Sequence, residues 1–130
     1  MHTLLLLGLA AVLGTASPAP TVKVGPSRYG RILFDGRGFV LYAFTHDARG
    51  RSTCTGECAQ KWPPYIVNTK PKGRLLGATR RADGKLQVTY AGRPLYYYAG
   101  DRSRGQILCQ NVSEFGGLWL VVRGDGKLVR

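Results

Sequence analysis

Residues 86–101 read Leu-Gln-Val-Thr-Tyr-Ala-Gly-Arg-Pro-Leu-Tyr-Tyr-Tyr-Ala-Gly-Asp, and this stretch decides the fold class. Apolar and polar side chains alternate over 86–90, as they do in a strand with one face toward solvent. Ala91-Gly92 then supplies a turn, and 93–98 supplies a second strand. Because Pro94 cannot donate to a ladder, that strand must start at a sheet edge or a bulge. The stretch predicts an antiparallel hairpin.

Similar turn and strand signals recur over the rest of the chain. Upstream, Asp83-Gly84 is a turn signal that would join 78–81 to the hairpin as a third strand. One helical turn is expected from Thr55 to Trp62, ended by Pro63-Pro64, because proline disfavours helix at the residue before it. The sequence therefore predicts an all-β single domain of short antiparallel strands and hairpins, with a short helical turn near the Cys-x-x-x-Cys loop. Further strands are expected at 31–35, 39–44, 118–123 and 127–129.

The second strand of the hairpin has an earlier copy in the chain. Residues 41–47 and 95–101 share the pattern Leu-Tyr-x-aromatic-x-x-Asp, and a Cys and then a Trp follow each copy. The copies are 54 residues apart at the Tyr and 57 apart at the Trp. This pattern predicts two pseudo-symmetric repeats, about 28–67 and about 78–123, that share one core. The landmark residues are Tyr42, Phe44, Asp47 and Trp62 in the first repeat and Tyr96, Tyr98, Asp101 and Trp119 in the second.

These landmarks resemble the Tyr-x-(Phe/Trp/Tyr)-x-x-Asp motif of a family of bacterial secreted and lipoprotein repeats of unknown function. The similarity continues through 54–64, 81–84 and 87–101, and it covers roughly residues 29–123. The resemblance implies an envelope or extracellular location and a repeat architecture, and it implies no chemistry. Many members of the family carry a lipobox cysteine that this sequence lacks, so the resemblance does not extend to membrane attachment.

The beginning of the chain has the pattern of an export signal. Residues 4–13 are apolar and uncharged, too few to span a bilayer, and a small-residue Gly-Thr-Ala sequence follows them. A signal peptide over 1–16 is expected, with an uncleaved tether as the alternative because no Lys or Arg precedes the apolar run. The Pro-rich residues 17–27 are expected to form an extended leader, and 28–130 the two-repeat β domain. No later segment is apolar enough to be a transmembrane segment.

The chain is strongly basic. It has 19 Lys and Arg against seven Asp and Glu, a formal net charge of +12. Such a charge attracts polyanions, although a dispersed, solvated surface is the other interpretation. For an exported protein, an anionic envelope polymer or lipid headgroups are the expected partners, and nucleic acid is not. The sequence indicates no oligomeric state. The residues of a possible ligand surface are Arg93, Tyr97, Arg102 and Arg104.

Three cysteines in an exported protein suggest one disulfide and one thiol. Cys54 and Cys58 are close enough in sequence for a bond, and Cys109 could instead pair with either of them. The family resemblance favours Cys54–Cys58, because members of the family keep that pair without a third cysteine. The alternative is a metal site or a thiol-redox centre formed by His46 with all three cysteines.

The sequence gives little support to an enzyme. His46 is the one His after the signal segment, and no nucleophile, base and orienting group can be assembled around it. Asp47 and Asp101 are expected to accept hydrogen bonds from turn N–H groups. No motif implies a cofactor.

The sequence predicts an exported cell-envelope or extracellular β domain, a non-catalytic binding or structural module that favours acidic surfaces or polymers. The alternative function is metal binding or thiol redox chemistry at the Cys/His cluster.

Overall fold

A computed structural model describes residues 21–130 of the chain, so the expected signal peptide at 1–16 lies outside the described residues. Within this range the strands pair antiparallel and one helix of five residues follows Gly56, which confirms the all-β prediction. The elements are β1 (Val22–Ser27), β2 (Gly30–Asp35), β3 (Tyr42–Phe44), α1 (Glu57–Lys61), β4 (Ile66–Val67), β5 (Leu76–Arg80), β6 (Leu86–Tyr90), β7 (Arg93–Pro94), β8 (Val112–Glu114) and β9 (Gly117–Val121).

The expected leader at 17–27 is, from Val22 onward, part of the folded domain. Strand β1 pairs along its whole length with β2, so the folded domain includes 22–27 and does not begin near Arg28 as expected. The prolines that suggested a leader are compatible with this strand, because an edge strand tolerates a residue such as Pro26 that cannot donate. Val22 packs against one of the two core clusters, and this apolar contact stabilises the position of β1 on the domain.

Two of the expected hairpins end after a few residues. Strand β7 pairs with β6 only at Arg93–Pro94, and Tyr96 then pairs with Tyr42 of β3. In the first repeat, Val40 forms a bridge with Phe34 before β3 leaves β2 in the same way. The aromatic segments therefore leave their own hairpins at equivalent positions and meet each other in the middle of the domain.

The two repeats exchange strands. Tyr42 of β3 pairs with Val121 of β9, in the other repeat. At the equivalent place, Tyr96 pairs with Pro64, which follows α1 in the first repeat. Each hairpin is thus extended by the Trp-bearing segment of the other repeat, an arrangement we call the strand exchange. Its equivalent backbone hydrogen bonds are Leu33 N to Val122 O and Val88 N to Tyr65 O, both 2.9 Å.

The pseudo-twofold axis passes between Tyr42 and Tyr96. Each of these residues donates its N–H to the carbonyl of the other, at 2.8 and 2.9 Å. Because neighbouring side chains on a strand point to opposite faces, the two tyrosines enter one core cluster and the preceding leucines, Leu41 and Leu95, enter a second. The first cluster also holds Trp62 and Trp119, so each repeat contributes one Tyr and one Trp to the centre.

Candidate functional site

The aromatic residues of the repeated motif form a continuous stack in the core. Trp62 and Trp119 stack face to face with ring centroids 4.1 Å apart, and both are fully buried. Phe44 stacks on the outer face of Trp119 at 4.1 Å, and Tyr98 packs against Trp62 at 5.0 Å. Each tryptophan is thus covered by an aromatic side chain of the other repeat. Because these ring faces contact one another, they hold the repeats together and are not available to a ligand.

The motif tyrosines and aspartates pair across the two repeats. The Tyr42 hydroxyl donates to Asp101 Oδ2 at 2.7 Å, and the Tyr96 hydroxyl donates to Asp47 Oδ2 at 2.7 Å. The sequence predicts that the aspartates accept turn N–H groups, and Asp47 does accept the N–H of Thr53 at 2.8 Å. The tyrosine partners were missed. The repeated Leu-Tyr-x-aromatic-x-x-Asp spacing was the available signal, since it places one donor and one acceptor in each half.

Burial sets the protonation of these pairs. Desolvation raises the pKa of Tyr42 and Tyr96 well above the usual range for tyrosine, so both remain neutral donors. Desolvation also raises the pKa of Asp47 and Asp101, although the hydrogen bonds that both carboxylates accept act in the opposite direction. The motif residues therefore act as buried hydrogen-bonding partners, and this arrangement gives them a structural role.

A buried arginine that sequence reasoning missed stabilises the Cys54 loop. Arg81 is 7% exposed, and its guanidinium donates to the Cys54 carbonyl at 2.6 Å. It also donates to Ser52 Oγ and Gln87 Oε1, both at 2.8 Å. Ser52 in turn lies 2.6 Å from the Tyr96 hydroxyl. These contacts satisfy the buried cation with neutral acceptors and link it to the Tyr96–Asp47 pair.

The cysteines form the disulfide that the family resemblance favoured. Cys54 and Cys58 are bonded, with Cα atoms 5.2 Å apart, and Cys109 is a half-buried free thiol. The four-residue metal hypothesis with His46 is wrong, because two of its sulfurs are bonded to each other and cannot act as thiolate ligands. Within residues 21–130 no three His, Cys, Asp or Glu side chains come together as a metal site would require. Cys54 and Cys58 are 1% and 7% exposed, which also separates their bond from an external thiol.

The four residues of the expected ligand surface do not form one site. Arg93 donates to the Gly126 carbonyl at 3.2 Å and lines a small cleft with Arg49. The Tyr97 ring lies elsewhere and lines other pockets, while the stem of Arg104 packs over Gly38. Arg102 is exposed, in a loop whose backbone bonds to the Gln106 side chain. Tyr97 is the aromatic residue among these four, and the cation near its ring is Arg37.

Tyr97 lies in an open groove of about 670 Å³, which we call the Tyr97 groove. Tyr65 and Tyr97 pack there with ring centroids 5.4 Å apart. Lys23 and Arg37 supply two exposed cations. Pro63, Pro64 and Asp35 also line the groove.

The turn after β2 positions Arg37 at this groove. The Asp35 carboxylate accepts the backbone N–H groups of Arg37 at 2.9 Å and Phe39 at 3.0 Å, which fixes the turn. The same carboxylate accepts the Tyr97 hydroxyl at 2.8 Å and forms an ion pair with Arg37 at 3.0 Å. Burial would raise the pKa of Asp35, but the hydrogen bonds from Phe39, Tyr97 and Arg37 hold it below its usual value. Asp35 is thus an ionised anchor beneath an arginine whose side chain is 67% exposed.

Nearly all of the basic side chains lie at the surface, whereas most of the acidic side chains are buried or half-buried. Of the 19 Lys and Arg residues, all but Arg81 are exposed. Of the seven acidic residues, only three are exposed. Ion pairs among residues 21–130 join Arg37 to Asp35 and Lys61 to Glu114, so most basic side chains in this part of the chain form no ion pair. The exposed acidic residues are Glu57, Asp83 and Asp125.

Comparison with known proteins agrees with the repeat architecture. Residues 24–65 and 77–123 each match one family, described as a secreted repeat of unknown function. No curated protein and no solved structure matches the chain significantly. Across residues 21–130, none of the helical structure is long and apolar enough to cross a bilayer.

Proposed function

We propose that this chain, which belongs to the family of secreted repeats of unknown function, is an exported, non-catalytic module that binds anionic polymers or acidic surfaces. Membership accounts for the repeats and for export, and it leaves the activity open. The proposal about binding rests on the charge distribution.

The observation that carries the proposal is that nearly all of the basic side chains are exposed, whereas most of the acidic side chains are buried or half-buried. A net charge of +12 could in principle be distributed evenly, with acidic side chains interspersed among basic ones. Here Asp35, Asp47 and Asp101 accept internal hydrogen bonds, and Glu114 accepts one from Lys61. The surface is therefore more uniformly positive than the composition alone requires. Such a field raises the local concentration of a polyanion and accelerates its association.

The role of the motif residues supports a module without catalysis. The tyrosines and aspartates that recur in both repeats bond to each other inside the domain, and the tryptophans stack in its core. The residues that define the family pattern thus build a scaffold. Function then belongs to the surface that this scaffold presents.

The salt dependence of binding tests the proposal. We expect the protein to bind an acidic polysaccharide, and we expect the affinity to fall roughly tenfold or more between about 0.05 M and about 0.5 M NaCl, because salt screens exposed charges. Isothermal titration calorimetry or a surface-immobilised polymer would measure this, with neutral dextran as the matched control. Binding that is undetectable, independent of salt or equal for dextran would contradict the proposal.

A further inference from the structure

We propose that the Tyr97 groove is the binding site of this module and that its ligand is an acidic sugar chain, a polymer of hexuronate type. This inference rests on the proposed function and gives it a location and a substrate class.

The lining suits sugar rings. Tyr65 and Tyr97 are both half-buried, so each ring is held against the domain while part of it faces the groove. The rings are tilted by 45° and lie beside Pro63 and Pro64, which add flat apolar surface. A sugar ring has an apolar face of C–H groups and a polar rim. Tyrosine offers the matching combination, an apolar ring with one polar end, and its few rotatable bonds limit the entropy lost on binding.

The charge of the groove suits a carboxylate. Two nitrogens of Arg37, Nε and Nη2, contact Asp35 at 3.0 Å, and the guanidinium lies 4.6 Å from the Phe39 ring centroid. These contacts hold the planar group in place, and a fixed guanidinium is the side chain best shaped for recognition of a carboxylate. Asp35 is 2% exposed and already accepts several donors, so it positions Arg37 while presenting little charge to the ligand. Lys23 adds a second exposed cation.

The extent of the groove suits a chain of several sugars. Its volume of about 670 Å³ lies in the range of ligand-binding clefts. It adjoins a second pocket of about 210 Å³, because Arg37, Pro63 and Tyr97 line both. Among residues 21–130 both pockets open to solvent, so a polymer could lie across them without threading an end.

The groove breaks the symmetry of the scaffold. With the spacings of 54 and 57 residues between the repeats, the equivalent of Tyr97 is Ala43 and the equivalent of Tyr65 is Val122. Ala43 and Val122 are buried core residues. The aromatic pair is therefore present on one side of the pseudo-twofold axis only. Packing of the two repeats does not require this pair, since the other side is packed without it, and this points to a role at the surface.

Charge-matched variants test the location. Arg37→Gln removes a groove cation, and Arg102→Gln removes one exposed cation elsewhere. With oligogalacturonate as the probe, we expect Arg37→Gln to weaken binding about tenfold and Arg102→Gln to change it by less than about twofold. Equal losses in the two variants would overturn the groove while leaving polyanion binding intact. No binding by the wild-type protein would refute the proposed function as well.

An aromatic variant tests the class of ligand. Tyr65→Leu keeps an apolar side chain and every charge, but it removes the ring. We expect it to weaken oligogalacturonate binding about tenfold and to leave the binding of polyglutamate, an anion without sugar rings, within about twofold. Equal weakening for both probes, or none for oligogalacturonate, would overturn the assignment to a sugar chain. Thermal unfolding of each variant would establish that the domain remains folded at the assay temperature.

Discussion

At the scale of single residues, the two motif tyrosines occupy equivalent positions with unequal surroundings. Asp47 accepts the hydroxyl of Tyr96 and also two donors from Thr53, at 2.8 and 2.6 Å. Asp101 accepts the hydroxyl of Tyr42 and a single backbone N–H, from Leu108 at 2.9 Å. An acceptor with fewer donors loses a larger share of its hydrogen bonds when one is removed, and this difference makes the two pairs experimentally distinguishable.

We expect Tyr42→Phe to lower the free energy of unfolding by about 2–3 kcal/mol and Tyr96→Phe by about 1 kcal/mol. Both substitutions preserve the buried ring, and Ser52, the second partner of the Tyr96 hydroxyl, keeps its bond from Arg81, so the difference reports the hydroxyl and its aspartate. Urea denaturation followed by tryptophan fluorescence would measure it. A cost for Tyr96→Phe equal to or above that for Tyr42→Phe would show that the number of donors does not control these pairs.

The raised pKa of Asp101 predicts an unusual pH dependence. A carboxyl whose folded pKa lies above its unfolded value, 3.8, takes up a proton on folding between these two values. Its contribution to stability therefore increases as the pH falls through that window. We expect the difference in the free energy of unfolding between wild type and Asp101→Asn to be larger at about pH 4 than at about pH 7.

Asp35→Asn supplies the opposite case for the same measurement. The pKa of Asp35 is lowered on folding, so its contribution is present above pH 3.8 and is lost below it. Unfolding curves of both variants from about pH 7 down to about pH 3 would show opposite trends, because the Asp101 window lies above 3.8 and the Asp35 window lies below it. A difference for Asp101→Asn that stays constant, or that shrinks as the pH falls toward 4, would contradict the burial argument.

At the scale of elements, the turn between β8 and β9 contains Phe115 in a backbone conformation that is unfavourable for a bulky side chain. Strand pairing of Glu114 with Gly117 leaves Phe115 and Gly116 as the two turn residues, and their φ angles are 54° and 86°. Two-residue hairpin turns with positive φ favour Asn-Gly, because bulky side chains are strained in the left-handed region. Phe115 is also 44% exposed, so burial of its ring compensates for little of this strain.

We expect Phe115→Asn to raise the free energy of unfolding by about 1 kcal/mol, because Asn tolerates the left-handed conformation. Gly116→Ala is the matched control, since it adds a side chain at the neighbouring position of positive φ and should destabilise by a similar amount. Chemical denaturation of the three proteins would test both signs. Destabilisation by Phe115→Asn would mean that the Phe115 ring contributes more than its conformation costs.

The elements and the pairing of neighbouring strands could largely be predicted from the sequence, and the pairing between the two repeats could not. Alternation over Leu86–Tyr90 and the prolines after Trp62 indicated β6 and the end of α1, because these signals are local. Tyr42 and Tyr96 are partners across more than 50 residues, and no local pattern states which strand receives them. β1 was missed because Pro26 and its neighbours are common to linkers and edge strands.

The candidate site shows the same limit. The sequence named Tyr97 as part of a possible ligand surface, and the structure places Tyr97 on the opposite face from Tyr96, because consecutive strand residues alternate. Sequence reasoning assigned nearby arginines such as Arg93 to the same surface on the basis of sequence distance. The structure places Arg37 there instead, through the turn fixed by Asp35 and the packing of β2 against the second repeat. A contact of that kind depends on tertiary structure.

At the scale of the whole molecule, neither repeat is a complete unit. The Trp-bearing segment of each half pairs with the hairpin of the other, and the tryptophans stack across the axis. Residues 68–74 connect the halves; Pro71 is buried, but it is not part of the core, and the charged side chains of the segment are exposed. The connection can therefore be cut without removing a core residue, which allows the dependence of the halves on each other to be tested.

We expect fragments 21–70 and 71–130 to be unfolded separately and to fold when mixed. Separately, each hairpin lacks its exchanged strand and each tryptophan lacks its stacking partner, so the buried apolar area is too small for a stable domain. Near-ultraviolet circular dichroism would detect the ordered tryptophans on mixing. An isolated fragment with cooperative unfolding and an ordered tryptophan would contradict this interdependence.

The strand exchange also bears on how such a chain could have arisen. A polypeptide with a single repeat could satisfy the pairing of Tyr42 with Tyr96 only against a second copy of itself, as a symmetric homodimer. Duplication and fusion would join the two copies in one chain. The sequences of the two halves could then diverge. The cysteine pair kept in one half, and the tyrosines displayed on one side, are what that freedom permits: an ancestral symmetric surface can become two different ones.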